Sequence, residues 1–212
     1  MDAAQTRPTI APLSGIYAIV NDTHADPVAL TRSIIGAGVR IVQYRAKSNF
    51  NEDHLREMRT ITRDAKALLI LNDRWKDVDR YDADGAHVGP DDAQWSELPQ
   101  IRRALEGRIF GVSCGTPDEA RIAQDAQADY IGAGCIFATI SKDNAGEPIG
   151  VEGLRSLLAV SRVPVAAIGG ITAQNLHAVR DAGAAMAAVI SAISGADDPA
   201  QAARDLVRAW QR

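Results

Sequence analysis

The sequence predicts an α/β protein, a single compact (β/α)8 barrel with parallel strands, and three observations predict it. Short apolar strands alternate with helical stretches along the chain, switching between strand and helix periodicity each time. The alternation runs through eight units of about 25 residues, as a compact barrel of this type requires. The strands are near-continuous apolar runs, the pattern of a parallel sheet covered by helices rather than one with a wet face. A doubly wound open sheet needs fewer units and leaves some of these strands without a place. No linker, low-complexity segment or charge run marks a second domain. The expected organisation is a loose leader over residues 1–13 and a catalytic barrel over residues 14–212.

Taken in order, Gly15–Asn21 reads as the first strand and ends in polar Asn21 and Asp22. Asp26-Pro27 opens a helix to Ile35, with an aspartate at the cap and proline in the first turn. Val39–Arg45 is the second strand, followed by a charged amphipathic helix from about Asn51 to Lys66. Ala67–Asn72 is a nearly all-apolar third strand. A short helix around Trp75–Tyr81 leads to a brief fourth strand, Gly85–Gly89. Gln94–Leu105 is helical, Arg108–Ser113 is the fifth strand, and Thr116-Pro117-Asp118-Glu119 is a helix start with a Thr cap and an acidic first turn. Tyr130–Gly134 is the sixth strand and Val151–Val160 the next helix. Val163–Gly169 precedes a Thr172-capped helix to Asp181, and Ala184–Ser191 precedes a closing amphipathic helix, Ala200–Trp210.

Composition narrows the function classes. With 212 residues, 46% of them hydrophobic, the chain can bury a substantial core. Its 23 basic and 27 acidic residues give a formal charge of −4, which argues against nucleic acid or an anionic membrane as the main partner. Met1–Leu13 has no apolar core of a secretory signal, and the longest small-apolar run, Ala184–Ile193, is too short to span a bilayer. Two cysteines, Cys114 and Cys135, make no disulfide framework and no zinc spacing, and read as reduced, buried thiols. A cytoplasmic protein acting on small molecules is expected, with room for a homo-oligomer.

Active sites of these barrels lie at the C-terminal ends of the strands. There the second strand ends in Gln43-Tyr44-Arg45-Ala46-Lys47, and alternation puts Gln43, Arg45 and Lys47 on one side with Tyr44 opposite. The third ends in Asn72-Asp73-Arg74, the fourth in His87-Val88-Gly89-Pro90-Asp91-Asp92, the fifth in Ser113-Cys114. After the sixth comes a polar loop with Thr139, Ser141 and Lys142, two hydroxyls and an ammonium that can hold phosphate oxygens. Gly169-Gly170-Ile171-Thr172 before a helix offers backbone N–H groups to an anion, beside the loop Ser191–Gly195. The mixture suits a phosphorylated substrate with Mg²⁺: Asp73 and Asp92 as hard oxygen ligands, Arg45, Lys47 and Lys142 as counter-charges. Taken singly, Asp73 reads equally well as a cap for the Trp75 helix, and Asp91 or Asp92 as a cap for the Gln94 helix. Two such acids beside a basic strand end favour the metal. Of the histidines, His54 and His177 lie in helices and His24 in the first loop, while His87, at a strand end, fits packing as well as catalysis.

These strand ends, in this order, resemble the thiamine phosphate synthase family across the whole chain after the leader. The residues that carry the resemblance are Val42–Lys47, Leu71–Arg74, His87–Asp92, Gly111–Ser113, Asp129–Gly134, Thr139–Asp143 and Ala167–Thr172. The resemblance implies a transferase of thiamine biosynthesis that joins hydroxymethylpyrimidine diphosphate to a thiazole phosphate, releasing pyrophosphate. It implies that Gln43, Arg45, Lys47 and Asn72 hold the pyrimidine diphosphate, that Asp73 and Asp92 bind Mg²⁺, and that Ser113 faces the pyrimidine or its reacting methylene. Lys142 then meets the departing pyrophosphate, and Thr139, Ser141, Gly169, Gly170 and Ser191 lie where the thiazole phosphate is received. The implied reaction is dissociative, with Phe137–Pro148 as a lid.

The sequence departs from the family pattern at Ala46, where glutamate is usual, at Pro90, where a polar residue is common, and at Ser141, which keeps the hydroxyl of the usual threonine. Related thiazole tautomerases share the barrel but carry a catalytic histidine where this chain has Cys114, and tend to lack the Asn-Asp-Arg and Thr-x-Ser-Lys sets. A tautomerase-like isomerase and a non-catalytic precursor-binding barrel are the alternatives.

Overall fold

The computed structural model describes residues 13–90, 92–139 and 147–212. Eight parallel strands close on themselves in sequence order: β1 (Gly15–Asn21), β2 (Ile41–Arg45), β3 (Leu68–Asn72), β4 (Gly85–Val88), β5 (Ile109–Cys114), β6 (Tyr130–Ala133), β7 (Val165–Ile168) and β8 (Met186–Val189). The seam is β8 on β1, with Gly15 opposite Met186 and Ala18 opposite Val189. Around them run α1 (Pro27–Gly36), α2 (Glu52–Asp64), α3 (Leu98–Ala104), α4 (Pro117–Asp125), α5 (Gly150–Val160), α6 (Leu176–Asp181), α7 (Ser191–Ser194) and α8 (Pro199–Trp210). This is the predicted (β/α)8 barrel.

Alternation along each strand builds two separate apolar clusters. Outward-facing residues such as Val42, Leu69, Leu71 and Ile131 pack against helix residues such as Ile34, Leu55, Met58 and Leu157, all fully buried. Each such aliphatic side chain contributes about 1.5–3 kcal/mol by leaving water. Inward-facing residues form a second cluster, with Ile41, Ile70, Ile109 and Met186 plugging the barrel below Tyr17 and Tyr130. At the N-terminal end of the strands, partly buried ion pairs tie elements together. Arg102 of α3 meets Asp129 at 2.8 Å, and the same carboxylate oxygen accepts the Phe110 N–H. Arg59 of α2 meets Asp84, which accepts the Leu69 N–H.

Helix starts follow their caps. The Asp26 carboxylate accepts the Ala29 N–H before α1, and Thr116 with Glu119 forms a reciprocal capping box before α4. Three predicted helices differ. The stretch expected over Trp75–Tyr81 is a single 3₁₀ turn, Trp75–Asp77, and Gln94–Leu105 splits into a 3₁₀ turn, Trp95–Glu97, and α3. Pro99, which has no N–H, sits in the first turn of α3, where none is needed. The helix expected from Thr172 begins only at Leu176. Asn175 accepts the Thr172 N–H at 2.8 Å and donates to the Gly170 carbonyl at 2.9 Å, holding residues 170–175 in a turn. Conversely, the stretch after β8 read as a loop contains the one-turn helix α7. Among the described residues no helix is long and apolar enough to cross a membrane.

Candidate active site

A cavity of about 580 Å³ opens at the C-terminal ends of the strands. Its wall includes Gln43, Arg45, Lys47, Asn72, Asp73, Asp92, Ser113, Thr139, Gly169, Gly170 and Ser191. Ser141, Lys142 and Asp91, the residues 1–12 of the expected leader and most of the expected lid lie outside the described residues. Alternation places the β2 residues as expected: Gln43 and Arg45 face the cavity, while Tyr44 turns outward onto Phe50.

The charged side of the cavity is built by three strand ends. Asp22 at the end of β1 accepts the Ser48 and Asn49 N–H groups at 2.7 and 2.5 Å, which folds the loop after β2 inward and delivers Lys47. Asp73 extends β3 by donating its N–H to the His87 carbonyl at 2.8 Å, then turns the chain with φ +61°. Asp92 sits on a turn in which its N–H and that of Ala93 both reach the Gly89 carbonyl. Lys47 Nζ meets Asp73 Oδ2 at 2.6 Å and Asp92 Oδ1 at 2.5 Å, and Asn72 donates to the Asp73 carboxylate. Neither acid caps a helix: the Trp75 turn has no side-chain cap, and Gln94 with Glu97 forms the capping box of the next. The capping readings of Asp73 and Asp92 therefore fail.

One ammonium shared by two carboxylates leaves an excess negative charge. Burial pulls the Lys47 pKa down, but its contacts with Asp73 and Asp92 outweigh this and hold it above the ordinary lysine value. For Asp73, burial and the Asp92 charge outweigh the same ammonium, so its pKa lies above the ordinary carboxylate value. Two hard carboxylate oxygens converging on one cation from neighbouring loops, with room beside them, are a donor set that fits Mg²⁺. Among the described residues no cluster of three or more His, Cys, Asp or Glu gathers that could hold a metal ion.

The opposite side, among the described residues that line the cavity, is uncharged. Gly169 and Gly170 have φ of +102° and +61°, and a Cβ on Gly170 would stand 2.4 Å from the Ala138 carbonyl oxygen. The glycines thus bring the loop after β7 against the loop after β6, where the Phe137 N–H donates to the Gly169 carbonyl at 3.0 Å. They are not at a helix start, contrary to the sequence reading. Ser191 instead opens the short α7 beside them.

The floor of the cavity joins Gln43, His87 and Ser113 to two tyrosines, Tyr17 and Tyr130, to which the sequence assigns no role. Gln43 Nε2 donates to Tyr17 Oη at 2.7 Å, Tyr17 and Tyr130 hydroxyls are 2.8 Å apart, and Tyr130 Oη is 3.0 Å from His87 Nδ1. His87 Nε2 lies 2.8 Å from Ser113 Oγ. Burial pushes both tyrosine hydroxyls well above the ordinary tyrosine value, so both stay protonated. The signal in the sequence was glycine: a Cβ on Gly111 would stand 2.2 Å from Tyr130 Cζ, and one on Gly132 would stand 3.1 Å from His87 Cε1. Cys114 and Cys135 are both buried, and neither is in a disulfide. Burial, with Glu119 adding, pushes the Cys114 thiol up to about 12.

Fold and cavity together define a (β/α)8-barrel enzyme with a charged, open site at its strand ends. The family model described as thiamine monophosphate synthase matches residues 16–193. The thiamine-phosphate synthase of Moorella thermoacetica is 45% identical over 183 residues, covering 84% of this chain and 85% of that protein. That of Caldivirga maquilingensis is 39% identical over 201 residues, covering 92% and 96%. The solved thiamine phosphate pyrophosphorylase of Pyrococcus furiosus superposes with a TM-score of 0.86 at 31% identity, covering 94% of this chain and 96% of that one. The chain belongs to the thiamine monophosphate synthase family, and by that membership it is a transferase.

Proposed function

We propose that the chain joins hydroxymethylpyrimidine diphosphate to thiazole phosphate, giving thiamine phosphate and pyrophosphate, by a Mg²⁺-assisted dissociative substitution within one catalytic barrel over residues 14–212. The observation that carries the mechanism is the convergence of Asp73 and Asp92 on Lys47 Nζ at 2.6 and 2.5 Å. Asp73 and Asp92 would hold the metal, which when bound would neutralise the developing charge on the leaving diphosphate. Arg45 and Lys47 would grip the same diphosphate, and Gln43, Asn72 and Ser113 would orient the pyrimidine. The neutral Thr139, Gly169, Gly170 and Ser191 side would receive the thiazole phosphate, with its ring nitrogen turned toward the reacting methylene. Ser141, Lys142 and the rest of Phe137–Pro148 would close over both and exclude water from the cation.

The pyrimidine ring can delocalise the charge left when the diphosphate departs, so proximity does most of the work and no protein nucleophile is required. Cys114, buried with its thiol pushed up to about 12, is unsuited to the proton transfers a tautomerase would need at that position. This supports the synthase reading over the isomerase.

The test is pyrophosphate release by the purified chain with both substrates, with and without Mg²⁺, beside Asp73→Ala. We expect metal-dependent thiamine phosphate formation that falls at least about 100-fold in the variant. Saturable binding of either phosphate with no turnover would sink the synthase reading. Turnover that survives Asp73→Ala would keep the enzyme and reject the metal assignment.

A further inference from the structure

We propose that the buried chain Gln43–Tyr17–Tyr130–His87–Ser113 runs in one direction only, and that its sense makes the Ser113 hydroxyl a hydrogen-bond donor to the pyrimidine substrate. The inference rests on the synthase reading for the identity of the ligand, but the direction of the chain follows from the protein alone. It makes His87 a positioning residue, acting on the substrate through Ser113.

The sense is set at one end. Gln43 presents its amide nitrogen to Tyr17 Oη at 2.7 Å, and an amide N–H can only donate. Tyr17, accepting there, has its own proton to place, and Tyr130 Oη at 2.8 Å takes it. Tyr130 then places its proton on His87 Nδ1 at 3.0 Å. A neutral imidazole whose Nδ1 accepts carries its proton on Nε2, which donates to Ser113 Oγ at 2.8 Å. Were the imidazole doubly protonated, Tyr130 would receive two protons and have no acceptor in the chain for its own, with the residue 1% exposed. Ser113, having accepted from His87, keeps its O–H for whatever fills the cavity it lines.

Two features show that the chain is built into the barrel. Glycine at 111 leaves the space that the Tyr130 ring fills, and glycine at 132 leaves space against the His87 ring. The His87 and Tyr130 rings stack, with centroids 5.4 Å apart and planes inclined at 30°, which holds the imidazole in orientation between Tyr130 and Ser113. Reversing the sense would turn Ser113 into a donor to His87 and leave only its lone pairs for the ligand.

The experiment is ¹⁵N NMR of the full chain labelled at histidine, with the His87 ring identified by its loss in His87→Gln. We expect a neutral ring at neutral pH with the proton on Nε2. A proton on Nδ1, or on both nitrogens, overturns the proposal. A kinetic arm reads the consequence. Tyr130→Phe is expected to lower kcat about tenfold with KM for the pyrimidine diphosphate within about twofold, and to change kcat less than about twofold in a Ser113→Ala background. Losses that simply multiply in the double variant would show that Tyr130 does not act through Ser113. Absence of turnover in the parent chain would reject the synthase reading, while the NMR result would still decide the direction of the chain.

Discussion

The rim of β2, β3 and β4 carries Arg45, Lys47, Asp73 and Asp92 into the cavity, whereas the described residues that line it after β6, β7 and β8 are uncharged and offer glycines and hydroxyls instead. Both halves face one cavity, and the reading above gives each a phosphorylated ligand. The difference teaches how one pocket can keep two anions apart. A diphosphate gains most where cations and a metal can gather, and pays least desolvation there. A monophosphate can be held by neutral N–H and O–H donors, which attract it without competing for the metal. Sorting then follows from charge density, with no need for two separate cavities.

The comparison breaks hardest on the charged side. Asp92→Ala is expected to lower kcat/KM about 100-fold or more and to weaken Mg²⁺ dependence, measured by titrating activity against the metal, with little change in KM for the thiazole phosphate. On the neutral side the backbone is the vulnerable part. Gly170→Ala puts a side chain at φ +61° and 2.4 Å from the Ala138 carbonyl. We expect about 2 kcal/mol of lost stability by denaturant titration and about a tenfold rise in KM for the thiazole phosphate alone. Thr139→Val keeps the shape and removes one hydroxyl, and should raise the same KM about fivefold.

The smallest effect sharpens the contrast through stability. Asp73 is pushed above the ordinary carboxylate value, by burial first and by Asp92 as well. A carboxyl whose folded pKa is raised costs stability above that pKa, and the cost fades as pH falls toward its unfolded value. Asp73→Asn, which tolerates the positive φ, should therefore raise Tm by about 2 °C at neutral pH and lose that gain near pH 4, followed by thermal melts across pH. A variant that is more stable yet inactive would mark the charged half as held against the fold's own preference.

Much of this site was legible because strand-end position is a matter of counting. Asp73, Asp92 and Arg45 follow polar punctuation at the ends of apolar runs, and alternation alone put Gln43 and Lys47 together with Tyr44 opposite. The sharing of Lys47 between both acids was not legible, since it depends on Asp22 folding the loop after β2 inward from a different strand. Thr172 looks like a helix cap in the sequence, but the side chain that organises the turn is Asn175, bonding back to Gly170 and Thr172. The sequence alone does not separate packing from catalysis for His87, because Ser113 and Tyr130 lie 26 and 43 residues away on other strands.

The empty place at Gly111 has a consequence for how such a barrel can change over generations. The Tyr130 ring occupies the space where any side chain at 111 would begin, so the two positions share one volume across neighbouring strands. Neither can drift alone: a larger residue at 111 is blocked until the ring at 130 is gone, and losing the ring first opens a void. Descendants that exchange bulk between the two positions would have to alter both nearly together. Replacement at one of them in a relative therefore foretells replacement at the other.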